Sequence, residues 1–557
     1  MYSIGVDYGT ESGRVVLLDI DNNKEIASFM VPYRHGVIED VLPGTSEVLG
    51  PDWALQHPED YVEVLEKGIP EVLRVAAVSS QDVIGIGVDF TSCTVLPVTK
   101  DGEPLCLLPE WKARAHAWPK LWKHHAAQGI ANRINETAEA RRESFISRYG
   151  GKVSSEWYFP KLLEIFENDR DVYHATYAFM EATDWIVWYL TGRQCRNSCT
   201  AGYKAMWSEE DGIPSVEFFT ALNPEFVNPV EKLGDKFYPL GTKAGTLRPE
   251  VAQRLGLSPA TAIAVGNVDA MVSAPAVGVK SPGTLVMVMG TSICHLALSR
   301  EEIRLPGITG VVKDGIIPGL YGYEAGQAAV GDMFAWFIKR CVPESYAREA
   351  ARQSLSIYEH LERLATELTP GESGLLALDW WNGNRSILAD ADLTGVIVGL
   401  TLATRPEEIY RALLEATAFG TKRIVDNFVE HGVPIHDLVA CGGLSFKSPL
   451  LMQLYSDITG LPVTVYESEQ IPARGAAIFG AVAAGSTGGG FDSIEAASDH
   501  LHPPVWKVYE PNGAVRSTYD EIYQSYREIH DFFGRDSAMT LHRLKSVRVR
   551  GIQAKNS

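Results

Sequence analysis

Short apolar runs alternate with longer amphipathic stretches along almost the whole chain. "VIGIGVDF" (83–90), "TAIAV" (261–265), "TLVMVM" (284–289) and "DLVACGG" (437–443) are short, rich in β-branched residues and bounded by turn formers, so they read as buried strands. Between such runs the apolar period changes to that of a helix, which predicts an α/β fold. The clearest helix lies in "TLATRPEEIYRALLEATAFGTKRIVDNFVEHG". There Thr404 and Glu407 have capping-box spacing, Pro406 falls in the first turn, and Ile409, Leu413, Ala416 and Phe419 recur on one face. Gly432 and Pro434 are expected to end it. "STYDEIYQSYREIHDFFG" predicts a closing amphipathic helix with Tyr519, Ile522, Tyr523, Tyr526 and Ile529 inward, and "STGGGFD" (486–492) a flexible surface loop.

One pattern repeats. "GVDYGTESGRVVLL" near the start and "VMVMGTSICHLAL" near the middle both read apolar strand, Gly-Thr turn with hydroxyls, apolar strand. One such hairpin is ordinary; two at matching places predict two related α/β halves whose loops meet across a cleft, where ligands commonly bind. A chain of 557 residues also exceeds the roughly 250–300 at which a single core stops growing. The boundary is placed near residue 260, giving domains 1–260 and 261–557.

The formal charge of -20 opposes nucleic-acid binding, which rests on many cations, and it means that any phosphate must be held by backbone N–H groups, a few placed cations and a metal. No apolar stretch reaches the roughly 18 residues a bilayer span needs, and "MYSIGVDYG" resembles no secretory leader, so no membrane partner and a cytoplasmic location are expected. Seven cysteines without framework spacing suit free thiols; "CRNSC", with Cys195 and Cys199, lacks the second pair a zinc site would need. The basic "LKSVRVRGIQAKNS" reads as a solvated terminus.

GxxxxGK[ST], GxGxxG, HExxH and GxSxG are all absent, which leaves the two Gly-Thr hairpins as the candidate chemistry. Gly9 lets the backbone approach an anion, Thr10 and Ser12 can donate to phosphate oxygens, and Arg14 can add a fixed charge. Asp7 at the loop mouth would repel bare phosphate but suits Mg²⁺ lying between them. On these residues alone a plain β-hairpin with a solvated Asp stands equally open.

"IGVDYGTESGR" resembles the first phosphate motif of the sugar-kinase, heat-shock-protein and actin ATPase superfamily. "VMGTSICH" resembles its second phosphate motif, "LVACGGLSFKSPLLMQLYSDITG" its adenosine motif, and "ARGAAIFGAVAAG" (473–485) its second connecting helix. "GLTLATRPEEIYRALLEATAFG" resembles the signature of the FGGY carbohydrate kinases. The resemblance implies two actin-like, ribonuclease H-like ATPase domains with ATP and sugar in the interdomain cleft. It implies phosphate contacts at Gly9, Thr10, Ser12, Arg14, Gly290 and Thr291, with Gly331 beside them. Adenosine would lie on Gly442 and Gly443 with Lys447 and Ser448 near the base. Asp269 in "GNVDA", which by itself could be a helix N-cap, becomes the general base.

For the sugar the resemblance points to "DFTSCT", "GYK" and "GYEAGQ", hence to Ser92, Cys93, Lys204 and Glu324, with Trp207 as a candidate wall. Glycerol kinases carry an Arg-Glu pair where Ser92 and Cys93 stand, so glycerol is disfavoured and a longer ketose fits. "LDWWNGNRSILADADLTGVIVGL" and its companions narrow the resemblance to kinases acting on L-ribulose at its terminal hydroxyl in L-arabinose catabolism, with D-ribulose, xylulose and ribitol as alternatives. An actin- or chaperone-type ATPase switch is the rival class. The expected partners are ATP, Mg²⁺ and a small sugar, with a homodimer left open.

Overall fold

The computed structural model describes residues 1–556. Two seven-stranded sheets organise the chain. In the first, Lys24–Pro32, Ser12–Asp19, Tyr2–Tyr8, Val83–Phe90, Ala262–Ala264 and Lys243–Thr246 lie side by side, with Asn267–Val268 also against Val83–Phe90. The second runs Gly310–Lys313, Tyr321–Gln327, Ile293–Ser299, Gly283–Met289, Ile435–Cys441, Val463–Tyr466 and Val505–Tyr509. Each contains an antiparallel hairpin whose first strand is joined in parallel by a later strand of the same half. The repeat seen in the sequence is thus a repeat of topology, and its parallel centre explains why the strand runs are apolar throughout.

Strand pairing carries the first sheet just past residue 260, because Ala262–Ala264 pairs with both Lys243–Thr246 and Val83–Phe90. The two halves are also interleaved, because the helix Ile471–Ala484, late in the chain, lies on the first sheet. A Cβ on Gly5 would fall 1.7 Å from the Ala473 carbonyl oxygen, and one on Gly87 1.9 Å from that of Ala476. Glycines stand in both strands because helix and sheet backbones touch there. The helix Asp269–Ala276 crosses the same connecting helix, with the position of a Cβ on Gly475 only 2.3 Å from the Val272 carbonyl.

Between the strands of the first sheet, a helix-rich insertion forms its own core around Trp157, Tyr158, Phe159, Phe218 and Phe219. It delivers the short helix Ser198–Lys204 toward the second sheet. The long helix Pro406–Glu430 buries Leu413, Ala416 and Phe419 as its period predicts, but its cap is shifted by one residue. Glu408, not Glu407, accepts the N–H of the cap residue Arg405, at 2.6 Å, because Glu407 is buried and accepts the Tyr346 hydroxyl at 2.7 Å.

Near the C-terminus, Arg516–Asp531 turns Tyr519, Tyr523 and Tyr526 into the core, with Ile522 and Ile529 packed at its margin. It does not close the fold: a further helix, Ala538–Asn556, follows and carries the basic stretch as far as the described residues reach. That helix docks through His542 on Asp390 at 2.8 Å and through Lys545 on the Ala391 carbonyl at 2.7 Å. The 486–492 segment is pinned by the Ser486 N–H donating to Asp492 at 2.9 Å. Among the described residues no helix is long and apolar enough to cross a membrane.

Candidate active site

Both glycine turns close in the same way. The Gly9 N–H donates to the Ser12 carbonyl at 3.0 Å and the Gly290 N–H to that of Ser292 at 2.9 Å. In the first turn, the Gly9 carbonyl accepts the Tyr33 hydroxyl at 2.9 Å and the Thr10 hydroxyl accepts the Trp122 indole N–H at 3.1 Å. Thr10 therefore keeps its own proton free to donate. Arg14 holds Nη1 3.6 Å from the Asp7 carboxylate, and Ser12 is half-buried at the start of the returning strand.

Around the second turn the predicted nucleotide glycines gather. The Gly331 N–H donates to the Gly290 carbonyl at 3.3 Å and Val330 donates to Thr291 at 2.8 Å, so the helix Gly331–Cys341 starts on the turn itself. Gly442, at φ +93°, has room for no side chain: a Cβ would lie 2.3 Å from the Met289 carbonyl. Beside it, a Cβ on Gly443 would meet nothing within 4 Å. Open space at one glycine next to crowding at the other is the form of a surface kept flat for a ligand. Ser448 stands apart from this group, since its buried hydroxyl accepts the Leu451 N–H at 3.3 Å and caps the helix Pro449–Thr459.

Three aspartates meet where the first sheet ends. Asp7 and Asp89 are in register on adjacent parallel strands, and Asn267 flanks Asp89 on its other side. Asp269 follows two residues later as the first residue of its helix, its cap position being Val268. Its Oδ1 accepts the Ala270 N–H at 2.7 Å. Both Asp89 oxygens and the Asn267 amide nitrogen are fully buried with no hydrogen-bond partner among the described residues.

The electrostatics follow from this crowding. Burial, then the Asp7 charge, pushes the Asp269 carboxyl up to about 7. Asp89 is raised by burial and by the charges of Asp7 and Asp269, and Asp7 by burial against the pull of Asp89 and Arg14. Three crowded carboxyls that disfavour one another's charge would be relieved by a divalent cation placed among them.

Toward the second sheet, the Lys204 ammonium donates to the Glu324 carboxylate at 2.7 Å, and each residue is only 5 % exposed. Burial alone would lower the Lys204 pKa; Glu324 outweighs it and raises it. The pair joins the insertion of the first half to a strand of the second, and its charges act on the Asp269 carboxyl.

Two residues expected at this end have protein partners of their own. The Cys93 thiol is buried and donates to Glu181 at 2.8 Å, so it is turned away into the protein while Ser92 stays half-buried. Trp207 packs at a tilt of 43° against Phe237 with ring centroids 4.9 Å apart; the rings near the Lys204 ammonium are Trp157, 5.8 Å from Nζ, and Tyr203, 6.0 Å away.

Sequence reasoning did not single out Asp89 or Lys161. Lys161, fully buried, donates to the Cys93 carbonyl at 2.5 Å and to Leu121 at 2.9 Å, fixing the loop that bears Ser92. The signal was present for both. A carboxylate closing the apolar run "VIGIGVDF" and a lysine inside "WYFPKLLEIF" are charges placed where the pattern demands apolar side chains.

Two matched sheets, glycine turns at both strand ends and a carboxylate between them define an enzyme with the actin-like ATPase fold. The chain belongs to the FGGY family of carbohydrate kinases, whose N-terminal domain matches residues 2–276 and whose C-terminal domain matches residues 285–484. It is 54 % identical to a ribulokinase of Geobacillus thermodenitrificans over 100 % of this chain and 99 % of that one. It is 55 % identical to a ribulokinase of Anoxybacillus flavithermus, over 98 % and 96 %. A xylulose kinase from Rhodospirillum rubrum shares the fold at TM-score 0.76 and 22 % identity, covering 96 % of this chain and 99 % of that one. Plasmodium falciparum glycerol kinase with ADP does so at TM-score 0.74 and 16 % identity, covering 95 % and 97 %.

Proposed function

We propose that the enzyme transfers the γ-phosphoryl group of ATP to the terminal hydroxyl of a ketopentose, converting L-ribulose to L-ribulose 5-phosphate as a step in L-arabinose catabolism. The observation that carries this reading is the position of Asp269. Its half-buried carboxyl, near neutrality in pKa, lies between the acid-lined end of the first sheet and the Lys204–Glu324 pair. A phosphate donor on one side and a polyol on the other would meet at that carboxyl. The full-length ribulokinase relatives at more than half identity support the choice of sugar.

In this scheme the N–H groups and hydroxyls of the two turns, at Gly9, Thr10, Ser12, Gly290 and Thr291, orient the triphosphate, and Arg14 adds charge. Gly442 and Gly443 receive the adenosine, with Gly331 supporting the second turn. Asp7, with Asp89 behind it, would hold Mg²⁺ through its waters; that ion supplies charge neutralisation at the phosphate oxygens. Among the described residues no three acidic, His or Cys side chains are set to grip an ion directly, which suits a cation that keeps much of its water.

Lys204 and Glu324 hold sugar hydroxyls as donor and acceptor, and Ser92 lines the same loop. Asp269 orients the attacking hydroxyl and takes its proton as the bond to phosphorus forms. Closure of the halves on the sugar would exclude water and restrain idle ATP hydrolysis. A coupled ADP-release assay with L-ribulose, D-ribulose, both xyluloses and ribitol tests the reading. Fastest turnover is expected with L-ribulose and little without sugar. Sugar-independent ATP turnover, or a clear preference for another sugar, would overturn it.

A further inference from the structure

Beyond Lys204 and Glu324 the cleft carries a second pair of opposite charges that the transfer scheme leaves unused. Glu324 and Gly326 stand two apart on the strand Tyr321–Gln327 and so share a sheet face, and Cys294 lies in register with Gly326 on the neighbouring strand. Arg385 packs against that face. A Cβ on Gly326 would meet its Cδ at 3.0 Å and Nη1 at 3.5 Å. The Ser386 hydroxyl accepts the Gly326 N–H at 3.1 Å and fastens the segment to the strand.

Across from the guanidinium is Glu156, carried by the other half of the chain and next to Trp157, one of the rings near the Lys204 ammonium. Nitrogen and oxygen are 4.0 Å apart and both side chains are 22 % exposed. The gap is too long for a hydrogen bond, and it is the only ion pair Arg385 makes among the described residues. The Glu156 charge acts on Lys204 as well as on Arg385, which places the two pairs along one wall.

The donor chemistry of the two pairs differs. Lys204 with Glu324 offers a donor and an acceptor, the complement of a hydroxyl. Arg385 offers donors only, and its guanidinium, packed against Gly326, makes no side-chain hydrogen bond among the described residues. In an open-chain ketose only the carbonyl oxygen accepts without donating. Building on the reading above, we infer that Arg385 is a specificity-determining residue whose guanidinium donates to the ketose carbonyl, with Glu156 accepting from the adjacent hydroxyl. The enzyme thereby favours a ketose over the alditols made by reducing it.

The test compares kcat/KM for the ketopentose that the wild type prefers with that for its alditols, in Arg385→Gln, Arg385→Lys and Glu156→Gln. Sugar binding is followed by calorimetry without ATP, and folding by thermal melts. Loss of one charge-assisted hydrogen bond predicts that Arg385→Gln lowers ketose kcat/KM by about 10- to 100-fold, through KM. Alditol kinetics and the KM for ATP should stay nearly unchanged, and Arg385→Lys should recover part of the loss. Equal losses on ketose and alditol, or no loss on either, would overturn the inference. If Arg385→Gln does not fold, Glu156→Gln decides, with weakened ketose binding expected and unchanged binding contrary. A wild type that turns over no sugar would defeat the proposed function first, and the calorimetric comparison would still judge Arg385.

Discussion

Asp269 shares its corner with Asp7 and within reach of Glu324, and that company sets its behaviour. A base must be ionised to accept a proton, so activity limited by proton transfer should fall as pH drops through about 7, the value for this carboxyl in the ligand-free protein. Asp269→Asn keeps shape without basicity and should lower kcat by about 10²- to 10⁴-fold while ATP binding, read by calorimetry, persists. The same crowding has a stability signature of definite sign. The carboxyl titrates at 3.8 when unperturbed and about 7 when folded, so across that window the native state holds a proton the unfolded chain has lost. Stability therefore declines as pH rises through the window and stays lowered above it. Asp269→Asn should accordingly melt above the wild type at pH 8, with the advantage vanishing toward pH 4; a variant that melts lower at pH 8 would refute the electrostatic account. That Asp269 was a candidate was legible in "GNVDA"; its raised pKa was not, since it depends on burial and then on Asp7, far away in sequence and close only in the fold.

At the scale of elements, the turns at the strand ends separate packing from binding. Gly442 and Gly443 are neighbours with opposite surroundings, one against the Met289 carbonyl at φ +93° and the other facing space. Gly442→Ala should cost stability, because a left-handed backbone and a backbone clash cannot both be relieved. Gly443→Ala should melt like the wild type yet raise the KM for ATP several-fold; an unchanged KM would remove this turn from the nucleotide site. The helix Pro406–Glu430 shows what periodicity delivers and where it stops. Its inward face was readable from Leu413, Ala416 and Phe419, whereas its cap depended on Tyr346 claiming Glu407, a tertiary contact. Likewise "DFTSCT" announced a polar loop, but the choice of Glu181 as the partner of Cys93 was made by packing.

For the whole molecule, the interleaving of the halves matters more than any boundary between them. The first sheet is covered by Ile471–Ala484, whose Ala473 and Ala476 carbonyls abut Gly5 and Gly87. A fragment of residues 1–276 would expose that face, and it should show no cooperative thermal transition by circular dichroism. A sharp transition would mean that the first half folds without the connecting helix. Interleaving also fits the function proposed, since Asp269 heads a helix packed on the connecting helix, and movement of one half against the other would be transmitted to the site.

Asp269, Lys204 and Glu324 became candidates through motifs that resemble those of a known family, whereas the sequence by itself determined the α/β alternation and the two glycine hairpins, the first with Asp7 at its mouth. These are local properties: hydrophobic period and turn chemistry act over a few residues and survive in one dimension. Only the tertiary structure decided that Lys204 meets Glu324, that Asp89 is buried unpartnered beside Asp7, and that Arg385 faces Glu156 across the halves. Each depends on groups far apart in the chain, whose energies exist only once burial has removed the water between them.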